Sequence, residues 1–358
     1  MRQIFVINPG STSTKVALFR EHEKLWQENI EHSAEDLKAF PTIFSQLDFR
    51  IQVIGKVLES HGVDTSALSA IMSRGGLLPP VHAGAYEVTE DMLDVLEHHP
   101  VNEHASNLGA AIAYRMATKL GIKAYIYDPV TVDEMIELVR ITGIKEIRRH
   151  GQGHNLNMRA AALKYCQENR LAYNSQNLIV VHLGGGITLT LHSGGRIIDM
   201  ISDDDGAFSP ERAGEIPTFK LAALIDRNHY SYKDIMKVLQ RKSGLTSLLG
   251  EPDVRKVEAR ISEGDAEADL VHQAMALSVA RAIAKLAVVV EGQVDAIVLT
   301  GGIAFSQLFT ERVAQRVRFI APVTVIPGEN EMQALADGAL RVLDGTEAAT
   351  VYVSPFRR

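Results

Sequence analysis

The residues best suited to phosphate chemistry lie near the N-terminus of this 358-residue chain. Asn8 to Lys15 reads Asn-Pro-Gly-Ser-Thr-Ser-Thr-Lys and joins two apolar stretches that we predict to be strands, Ile4 to Ile7 and Val16 to Phe19. Its glycine lets the backbone approach a ligand closely, its hydroxyl groups offer donors, and its lysine adds positive charge. The segment is not a Walker P-loop, because no second glycine precedes the lysine and a strand follows it. The candidate polyphosphate ligands are Asn8, Ser11, Ser13 and Lys15.

A polar hairpin turn without a ligand is the alternative for this segment alone, but the chain repeats the same arrangement. Leu178 to His182 is an apolar strand that leads towards three glycines, and Ile187 to His192 alternates as a further strand. Glycine pairs also follow soon after Ala70 to Met72 and Ala296 to Leu299. The repetition favours phosphate binding and predicts two similar lobes that face one nucleotide cleft. Candidate nucleotide ligands in the second half are His182, Gly184, Gly185, Gly186, Gly301 and Gly302.

Four segments together resemble the signature segments of butyrate kinases, which are relatives of acetate kinase in the superfamily of actin, sugar kinases and heat-shock chaperone ATPases. They are Asn8 to Lys15, His182 to Gly186, Phe208 to Arg212 and Leu299 to Ile303. The resemblance runs from the first strand to the last helix. It implies an α/β fold of two similar ribonuclease-H-like lobes, each a mixed five-stranded sheet flanked by helices, around the nucleotide cleft.

The chain is predicted to divide into two domains. Residues 1–150 would form the acid-binding and phosphate lobe, and residues 151–331 the nucleotide-binding lobe. The last helix, which begins near Met332, carries an amphipathic stripe of apolar and small residues. In the resembled family this helix crosses back, so residues 332–358 would join the first lobe and make that domain discontinuous.

Composition is that of an ordinary globular enzyme. Hydrophobic residues make up 46% of the chain and the formal net charge is −7, without an extended basic tract, so no nucleic-acid partner is expected. The first apolar run is too short for a signal peptide, and no uninterrupted apolar segment approaches about 20 residues, so we expect neither export nor a membrane span. The single cysteine, Cys166, fits a reducing compartment and a core position. We expect a cytoplasmic protein that forms a homodimer or a larger homo-oligomer.

Arg74 is a candidate anchor for an acidic substrate. It stands between an apolar strand and two glycines, an unusual place for a solvated residue. Its planar guanidinium matches a carboxylate or a phosphoryl group bidentately. The apolar run Leu77 to Val81 follows and could form a wall for a short alkyl chain. The alternative is an ion pair on the surface of the lobe.

Asp128 and Glu331 are the candidate metal ligands. Asp128 precedes a proline at the end of the predicted strand Lys123 to Tyr127, where an isolated aspartate is often only a turn former. The resemblance implies a catalytic role. A carboxylate acceptor is already ionised, since its pKa lies at about 4 to 5, so Asp128 suits orientation of Mg²⁺ better than proton abstraction. Glu331 is a second ligand by family position, and the alternative is a helix-start carboxylate favoured by the macrodipole.

Three histidines could suggest a zinc site, because His150 and His154 are four residues apart and His182 could be a third ligand. We reject it, since glycines between the first two disfavour a helix. The resemblance implies that His150 lies by the transferring phosphoryl group. His182 would hydrogen-bond the phosphates, and His154 would open or cap the helix that begins near Asn155.

One departure from the acetate kinases concerns a second arginine after the phosphate-binding hairpin. This chain has the acidic run Ser202 to Gly206 there, which is either a solvated loop or linked to cations. Arg212 is the candidate to replace that arginine, but its reach is open, and it stays outside the predicted catalytic set. That set is Asp128, Arg74 and His150.

We therefore predict an ATP-dependent carboxylate kinase that uses Mg²⁺ and converts butanoate and ATP into butanoyl phosphate and ADP by in-line transfer. Other short or branched acids, such as isobutyrate, propionate or acetate, are the alternatives within this class. A chaperone-type ATPase that acts as a binding module is the alternative from another class. It is disfavoured because no peptide-binding domain follows the last helix. A sugar kinase fits the arginine and apolar site less well than an acid kinase.

Overall fold

The computed structural model describes residues 1–356, which form two compact units. The first unit is Met1–Asp133 together with the chain from Asn330 onward, and the second is Glu134–Glu329. Strands in the described residues are β1 Gln3–Pro9, β2 Ser13–Arg20, β3 Glu23–Glu31, β4 Leu68–Arg74, β5 Ala85–Glu87, β6 Lys123–Tyr127, β7 Leu178–Leu183, β8 Ile187–Ser193, β9 Arg196–Ile201, β10 Ala296–Thr300, β11 Val323–Val325 and β12 Thr350–Val351.

Helices surround the sheets. They are α1 Ala34–Lys38, α2 Leu47–Ser60, α3 Glu90–His98, α4 Asn107–Leu120, α5 Glu137–Arg140, α6 Asn155–Asn169, α7 Thr218–Asn228, α8 Tyr232–Arg241, α9 Gly244–Leu249, α10 Val254–Ser262, α11 Ala266–Ala287, α12 Gln307–Val317 and α13 Glu331–Asp344. Short 3₁₀ turns occur at Phe44–Gln46, Thr65–Ala67, Tyr173–Ser175, Val288–Val290 and Gly302–Phe305.

The two sheets share one strand plan. The second unit has the order β11-β10-β7-β8-β9, and the first contains the equivalent order β6-β4-β1-β2-β3. In both, the first three strands are antiparallel neighbours and the other two lie parallel to the central strand. The predicted pair of mixed five-stranded sheets is confirmed, with one correction. The first sheet has seven strands, because β5 and β12 extend it beyond β6.

The central strands are hydrophobic on both faces because helices cover both sides of each sheet. In β1, Ile4 to Ile7 are fully buried, and all six residues of β7 are buried. The stripe on α13 packs against β1 and β4, as an amphipathic helix should. Gly338 permits the close approach of α13 to β6, since a Cβ atom there would lie 2.7 Å from the Tyr127 ring.

The boundary between the units differs from the predicted division at residue 150. Residues 134–150 belong with the second unit because they bond to its strand β9. The backbone N–H of Ile197 donates to the Glu134 carboxylate (2.9 Å), and Arg149 donates to Asp199 (3.0 Å). The predicted boundary followed the local motifs along the sequence. Such motifs carry no information on these long-range hydrogen bonds.

The second boundary differs too, since the first unit resumes at Asn330 and not at Met332. Glu331 is the first residue of α13, and its carboxylate accepts a hydrogen bond from the Asn8 side chain (2.7 Å). The whole of α13 therefore packs with the first sheet.

One helix is longer and more apolar than we expected from the sequence, which has no uninterrupted apolar segment of about 20 residues. Ala266–Val290 has a mean hydropathy of 1.6 over its best window and is long and apolar enough to cross a membrane by length and composition alone. Such a helix is weak evidence for a membrane span, because core helices meet the same test. Here one face of α11, including Met275, Val279 and Ile283, belongs to the second unit's hydrophobic core. The cytoplasmic location stays a prediction.

The buried histidine of β8 makes the second unit sensitive to acid. His192 is fully buried between the Tyr173 hydroxyl (2.7 Å) and the Thr190 hydroxyl (2.8 Å). Burial, with the positive charge of Arg159, lowers the pKa of His192 to about 3 from 6.5. Below pH 6.5 the unfolded chain therefore binds a proton at His192 that the folded chain does not bind. The free energy of unfolding decreases as the pH falls from the pKa of the unfolded state towards that of the folded state.

We expect His192→Gln to weaken this acid sensitivity, because an amide can hydrogen-bond to the same hydroxyl groups without titrating. Urea unfolding of both proteins at about pH 7.5 and about pH 5 measures the effect. The native protein should lose more free energy of unfolding between the two conditions than the variant. The control is His98→Gln, at a half-exposed position on α3. Equal losses in the native protein and His192→Gln would contradict the assignment.

Candidate active site

Three parallel strands of the first sheet end at one edge, and each brings a predicted site residue there. Asn8 lies near the end of β1, Arg74 ends β4, and Asp128 follows β6. The register pairs Arg74 with Tyr127, so Arg74 and Asp128 lie on adjacent strand ends. Ligands of open α/β sheets bind at this carboxyl edge.

Glu331 connects two of these residues. One oxygen of its carboxylate accepts from the Asn8 side-chain amide at 2.7 Å, and the other lies 3.4 Å from Nη1 of Arg74. Both partners of the ion pair are only about a quarter exposed, at 25% and 21%. The position of Glu331 in the first turn of α13 adds the favourable helix dipole. Thus Arg74 does form an ion pair, but inside the site and with a predicted metal ligand.

Asp128 is held in an uncommon backbone conformation. Its φ is 39°, and its side chain is nearly fully buried. The N–H of Gly84 donates to Oδ1 of Asp128 at 2.7 Å, and the Asp128 N–H donates back to the Gly84 carbonyl at 3.2 Å. Aspartate tolerates the left-handed region better than most residues, and such strain is concentrated at functional sites. The carboxylate is therefore fixed in direction.

The two glycines after Arg74 are required by close packing around the end of β4. A Cβ atom on Gly75 would lie 2.6 Å from Cγ of Pro129, and one on Gly76 would lie 2.7 Å from Cα of Asn107. A side chain on Gly75 would push the end of β4 away from the Asp128 turn, and one on Gly76 would push the chain away from the start of α4. The apolar residues that follow, Leu77, Leu78 and Val81, are buried.

The β1–β2 turn carries the other predicted first-unit ligands. The Gly10 N–H donates to the Ser13 carbonyl (2.8 Å), which closes the turn, and Ser11 at its tip is exposed. Lys15 pairs directly with Asn8 across the two strands. Directly opposed residues point to the same face of a sheet, so Lys15 shares the face of Asn8.

Two further residues of this unit were missed by sequence reasoning. Arg50 on α2 is fully buried and donates to carbonyl groups of the β1–β2 turn. His104 has a pKa lowered by burial and by the nearby positive charge of Arg74. Neither residue stands in a local motif, and only the tertiary fold brings them to the site.

In the second unit, His182 lies buried at the end of β7. Its Nδ1 contacts the side-chain amide nitrogen of Asn157 (3.0 Å), so Nδ1 accepts and the ring proton is on Nε2. Nε2 lies 3.4 Å from the Glu329 carboxylate. The ring of His154 stacks on that of His182 at 3.8 Å, and His154 directly precedes α6, as predicted.

The glycine turn after His182 brings Arg212 to the site. A Cβ atom on Gly184 would lie 2.8 Å from Nε2 of His182, and one on Gly186 would lie 3.0 Å from Nε of Arg212. The Ser209 hydroxyl donates to the Gly185 carbonyl at 2.6 Å. Arg212, which stayed outside the predicted catalytic set, therefore lies against the phosphate-type turn.

The acidic run after β9 is linked to cations. Asp203 forms an ion pair with Arg212, and Asp205 accepts from Arg149 at 2.8 Å. Burial raises the pKa of Asp205, and the adjacent arginine opposes that effect. Of the two alternatives left open by the sequence, Asp203 and Asp205 fit the link to cations, whereas Asp204 is exposed to solvent.

A cavity of about 870 Å³ lies within the second unit beside the glycine turns. This size falls in the range of small-molecule sites. Backbone glycines form one part of the cavity lining, and apolar and charged side chains form another. The lining includes Gly184, Gly185, Gly302, Val254, Arg255 and Phe305.

Gly301 and Gly302 serve different purposes. Gly301 has a φ of 92°, and a Cβ atom there would lie 2.4 Å from the Leu183 carbonyl oxygen, so it permits close packing of β10 on β7. Gly302 lines the cavity and has nothing within 4 Å of its Cβ position. His150 is exposed in the segment between α5 and α6, outside the lining of this cavity, and its role stays a prediction.

The comparisons with known proteins agree on one family. A family model described as the acetokinase family matches residues 90–348. A probable butyrate kinase of Enterococcus faecalis is 44% identical over 354 residues, 98% of this chain and 98% of that protein. Butyrate kinase 2 of Clostridium acetobutylicum is 43% identical over 352 residues, 98% of this chain and 99% of that protein. The crystal structure of Porphyromonas gingivalis acetate kinase matches with a TM-score of 0.80 at 19% identity, covering 96% and 100% of the two chains, and shows the fold.

The glycines allow a test of the cavity that separates ligand binding from folding. Gly185→Val places its Cβ 3.7 Å from the nearest atom, the Glu211 carboxylate, so the variant should fold. We expect it to lose nucleotide affinity by roughly tenfold or more, because the side chain enters the space beside the turn. Gly301→Ala should instead lower the melting temperature, since its Cβ meets backbone. Calorimetric titration with a non-hydrolysable ATP analogue and thermal melting give both readouts. Unchanged affinity in Gly185→Val would make this turn structural only.

Proposed function

The chain belongs to the acetokinase family, and from that premise we propose that it phosphorylates butyrate with ATP to give butyryl phosphate and ADP. It is a carboxylate kinase, a phosphotransferase with a carboxyl group as acceptor. Identity of 44% and 43% to two butyrate kinases supports butyrate as the acid. The observation that carries the mechanism is the cluster of Asn8, Arg74 and Glu331 at the carboxyl edge of the first sheet.

The acid would bind through Arg74. Its guanidinium is a planar fork that can accept a carboxylate with two parallel hydrogen bonds. In the structure the Glu331 carboxylate occupies part of that fork, which indicates that the site suits this chemistry. The buried apolar run that begins three residues later would supply the surroundings of a short alkyl chain.

The nucleotide would use backbone and cationic groups. In the second unit the cavity beside Gly184 and Gly302 would take the nucleoside, with His182 and Arg212 beside the glycine turn for the phosphates. In the first unit the β1–β2 turn would bind phosphoryl oxygens through its N–H and hydroxyl groups and Lys15. Loops rich in such donors are suited to polyphosphate.

Asp128 and Glu331 would hold Mg²⁺. Both are carboxylates, the oxygen donors that this ion prefers, and Asp128 is already fixed in direction by Gly84. Mg²⁺ is commonly bound by one or two carboxylates together with phosphates and water, so two protein carboxylates are enough for such a site. When bound, the ion shields the negative charge of the phosphates.

The chemical step needs no general base. The acid arrives as a carboxylate, because its pKa of about 4 to 5 lies well below neutral pH. One carboxylate oxygen forms a bond to the γ-phosphorus while the bond from that phosphorus to the ADP oxygen breaks, and no proton is released. Catalysis then consists of positioning and of charge stabilisation, for which Arg74, His182, Arg212 and His150 are the candidate groups.

Replacement of Arg74 by alanine tests the acid anchor. We expect the KM for butyrate to rise by roughly tenfold to a hundredfold, since a charge-assisted hydrogen bond contributes about 1.5 to 3 kcal/mol. The KM for ATP should change little. Arg115→Ala, at an exposed arginine paired with Asp48, is the matched control. A normal KM for butyrate in Arg74→Ala would refute the anchor.

Replacement of the two carboxylates tests the metal site. Asp128→Asn keeps an oxygen for the Gly84 N–H and tolerates the same backbone conformation, so it should fold. We expect the Mg²⁺ concentration for half-maximal rate to rise at least about tenfold in Asp128→Asn and in Glu331→Gln, with a lower kcat. Asp94→Asn, at an exposed position of α3, should behave as the native protein. Native Mg²⁺ dependence in both site variants would remove them from the metal site.

The acid preference is tested by trapping acyl phosphates with hydroxylamine across straight and branched acids of two to six carbons. We expect butyrate to lead and acetate to fall roughly tenfold or more below it, since each methylene in a fitted pocket contributes about 1 to 3 kcal/mol. A lead for acetate would make the butyrate assignment wrong within the family. No acyl phosphate from any acid would favour the binding-module alternative.

Assembly into a homodimer or larger homo-oligomer stays a prediction that light scattering can test.

A further inference from the structure

A buried cation lies beneath the β1–β2 turn. Arg50 on α2 has no exposed surface. Its Nη1 donates to the carbonyl of Gly10 (3.0 Å), the carbonyl of Ser13 (3.1 Å) and the hydroxyl of Thr14 (3.0 Å). Its Nη2 donates to the carbonyl of Ser11 at 3.3 Å. One guanidinium therefore donates hydrogen bonds to three backbone carbonyls of the predicted phosphate turn.

The charge of Arg50 has no counter-ion within residues 1–356. Its remaining partner is the neutral amide of Gln46, whose Oε1 accepts from Nε (3.1 Å) and Nη2 (2.9 Å). A titratable neighbour of Arg50 is His32, which bonds to the Thr14 hydroxyl (2.8 Å) and has a pKa lowered by burial and by Arg50 itself. Burial lowers the pKa of Arg50 to about 10, as expected for a charge without an anion.

The carbonyl groups that bond to Arg50 determine the direction of the backbone N–H groups in the turn. In a planar trans peptide the C=O of one residue and the N–H of the next point in opposite directions. Because the carbonyls of Gly10 and Ser11 point at Arg50, the N–H groups of Ser11 and Thr12 point away from it. Both of those residues are exposed. Successive N–H groups on the outer side of a turn form an anion-binding concavity.

We propose that Arg50 is a positioning residue for phosphate binding: it fixes the turn from below, presents the N–H groups of Ser11 and Thr12 to phosphoryl oxygens, and has its charge balanced by the bound anion. The inference rests on the proposed function for the identity of the anion, a nucleotide phosphate. Burial of an unpaired charge is costly, and a site that needs an anion explains why it persists.

Gln46→Glu tests this inference sharply, because it keeps the hydrogen bonds to Arg50 and adds the missing counter-ion inside the protein. We expect affinity for a non-hydrolysable ATP analogue to fall roughly tenfold, the size of one charge interaction at about 10 Å in a protein environment. Affinity for adenosine, which has no phosphate, should not change. The melting temperature should stay native or rise. A merely structural role for Arg50 would leave both affinities native, and that result would overturn the proposal.

Arg50→Lys is the second variant, and it decides the matter if Gln46→Glu melts early. Lysine keeps the charge but cannot reach three carbonyls in one plane, so we expect weaker binding of the ATP analogue with unchanged binding of adenosine. An equal loss for both ligands would contradict the proposal. Calorimetric binding is independent of turnover, so these outcomes are separate from the acid assay. A native protein that binds the analogue but makes no acyl phosphate would refute the proposed function alone.

Discussion

Close backbone packing at the carboxyl ends of the parallel strands is the constraint on which both sites depend. In the first unit, Gly75 allows the β4 end to touch Pro129 beside the Asp128 turn. In the second, Gly301 allows the end of β10 to touch the Leu183 backbone next to the glycine turn. Side chains at these positions would separate the strand ends, and the polar groups that follow each strand would no longer converge. Because the two sheets share one strand order, the carboxyl ends of equivalent strands form the site edge in each sheet.

Charge at these edges is arranged in a consistent way. Arg74 is paired with Glu331, and Arg212 with Asp203, so both of these arginines have a carboxylate of the protein beside them. Anionic substrates and a metal ion can exchange with such partners without leaving a bare charge. Arg50 differs, because it lies below the turn and its partners are neutral oxygens. Under the proposal, the phosphate bound on the turn balances this buried charge.

Local pattern predicted the parts of the fold and site that depend on neighbours in sequence. The apolar strand patterns and the glycine motifs predicted β1, β7 and β10. They also predicted the site residues at the strand ends, because those residues directly follow the strands in sequence. The pairing of Arg74 with Glu331 could not be predicted, since it depends on how α13 packs on the first sheet. Arg50 was missed for the same reason. On α2 it occupies an ordinary polar position in the sequence, and only the fold places the turn above it.

The central claim is that a carboxylate oxygen of the acid forms the new bond to the γ-phosphorus of ATP. Butyrate labelled with ¹⁸O in its carboxylate tests this claim. After turnover with Mg-ATP, hydroxylamine attacks the acyl carbon and releases the phosphate, whose mass is then measured. The account predicts one ¹⁸O atom in each phosphate released in this way, because the oxygen between carbon and phosphorus comes from the acid. Released phosphate without the label would contradict it.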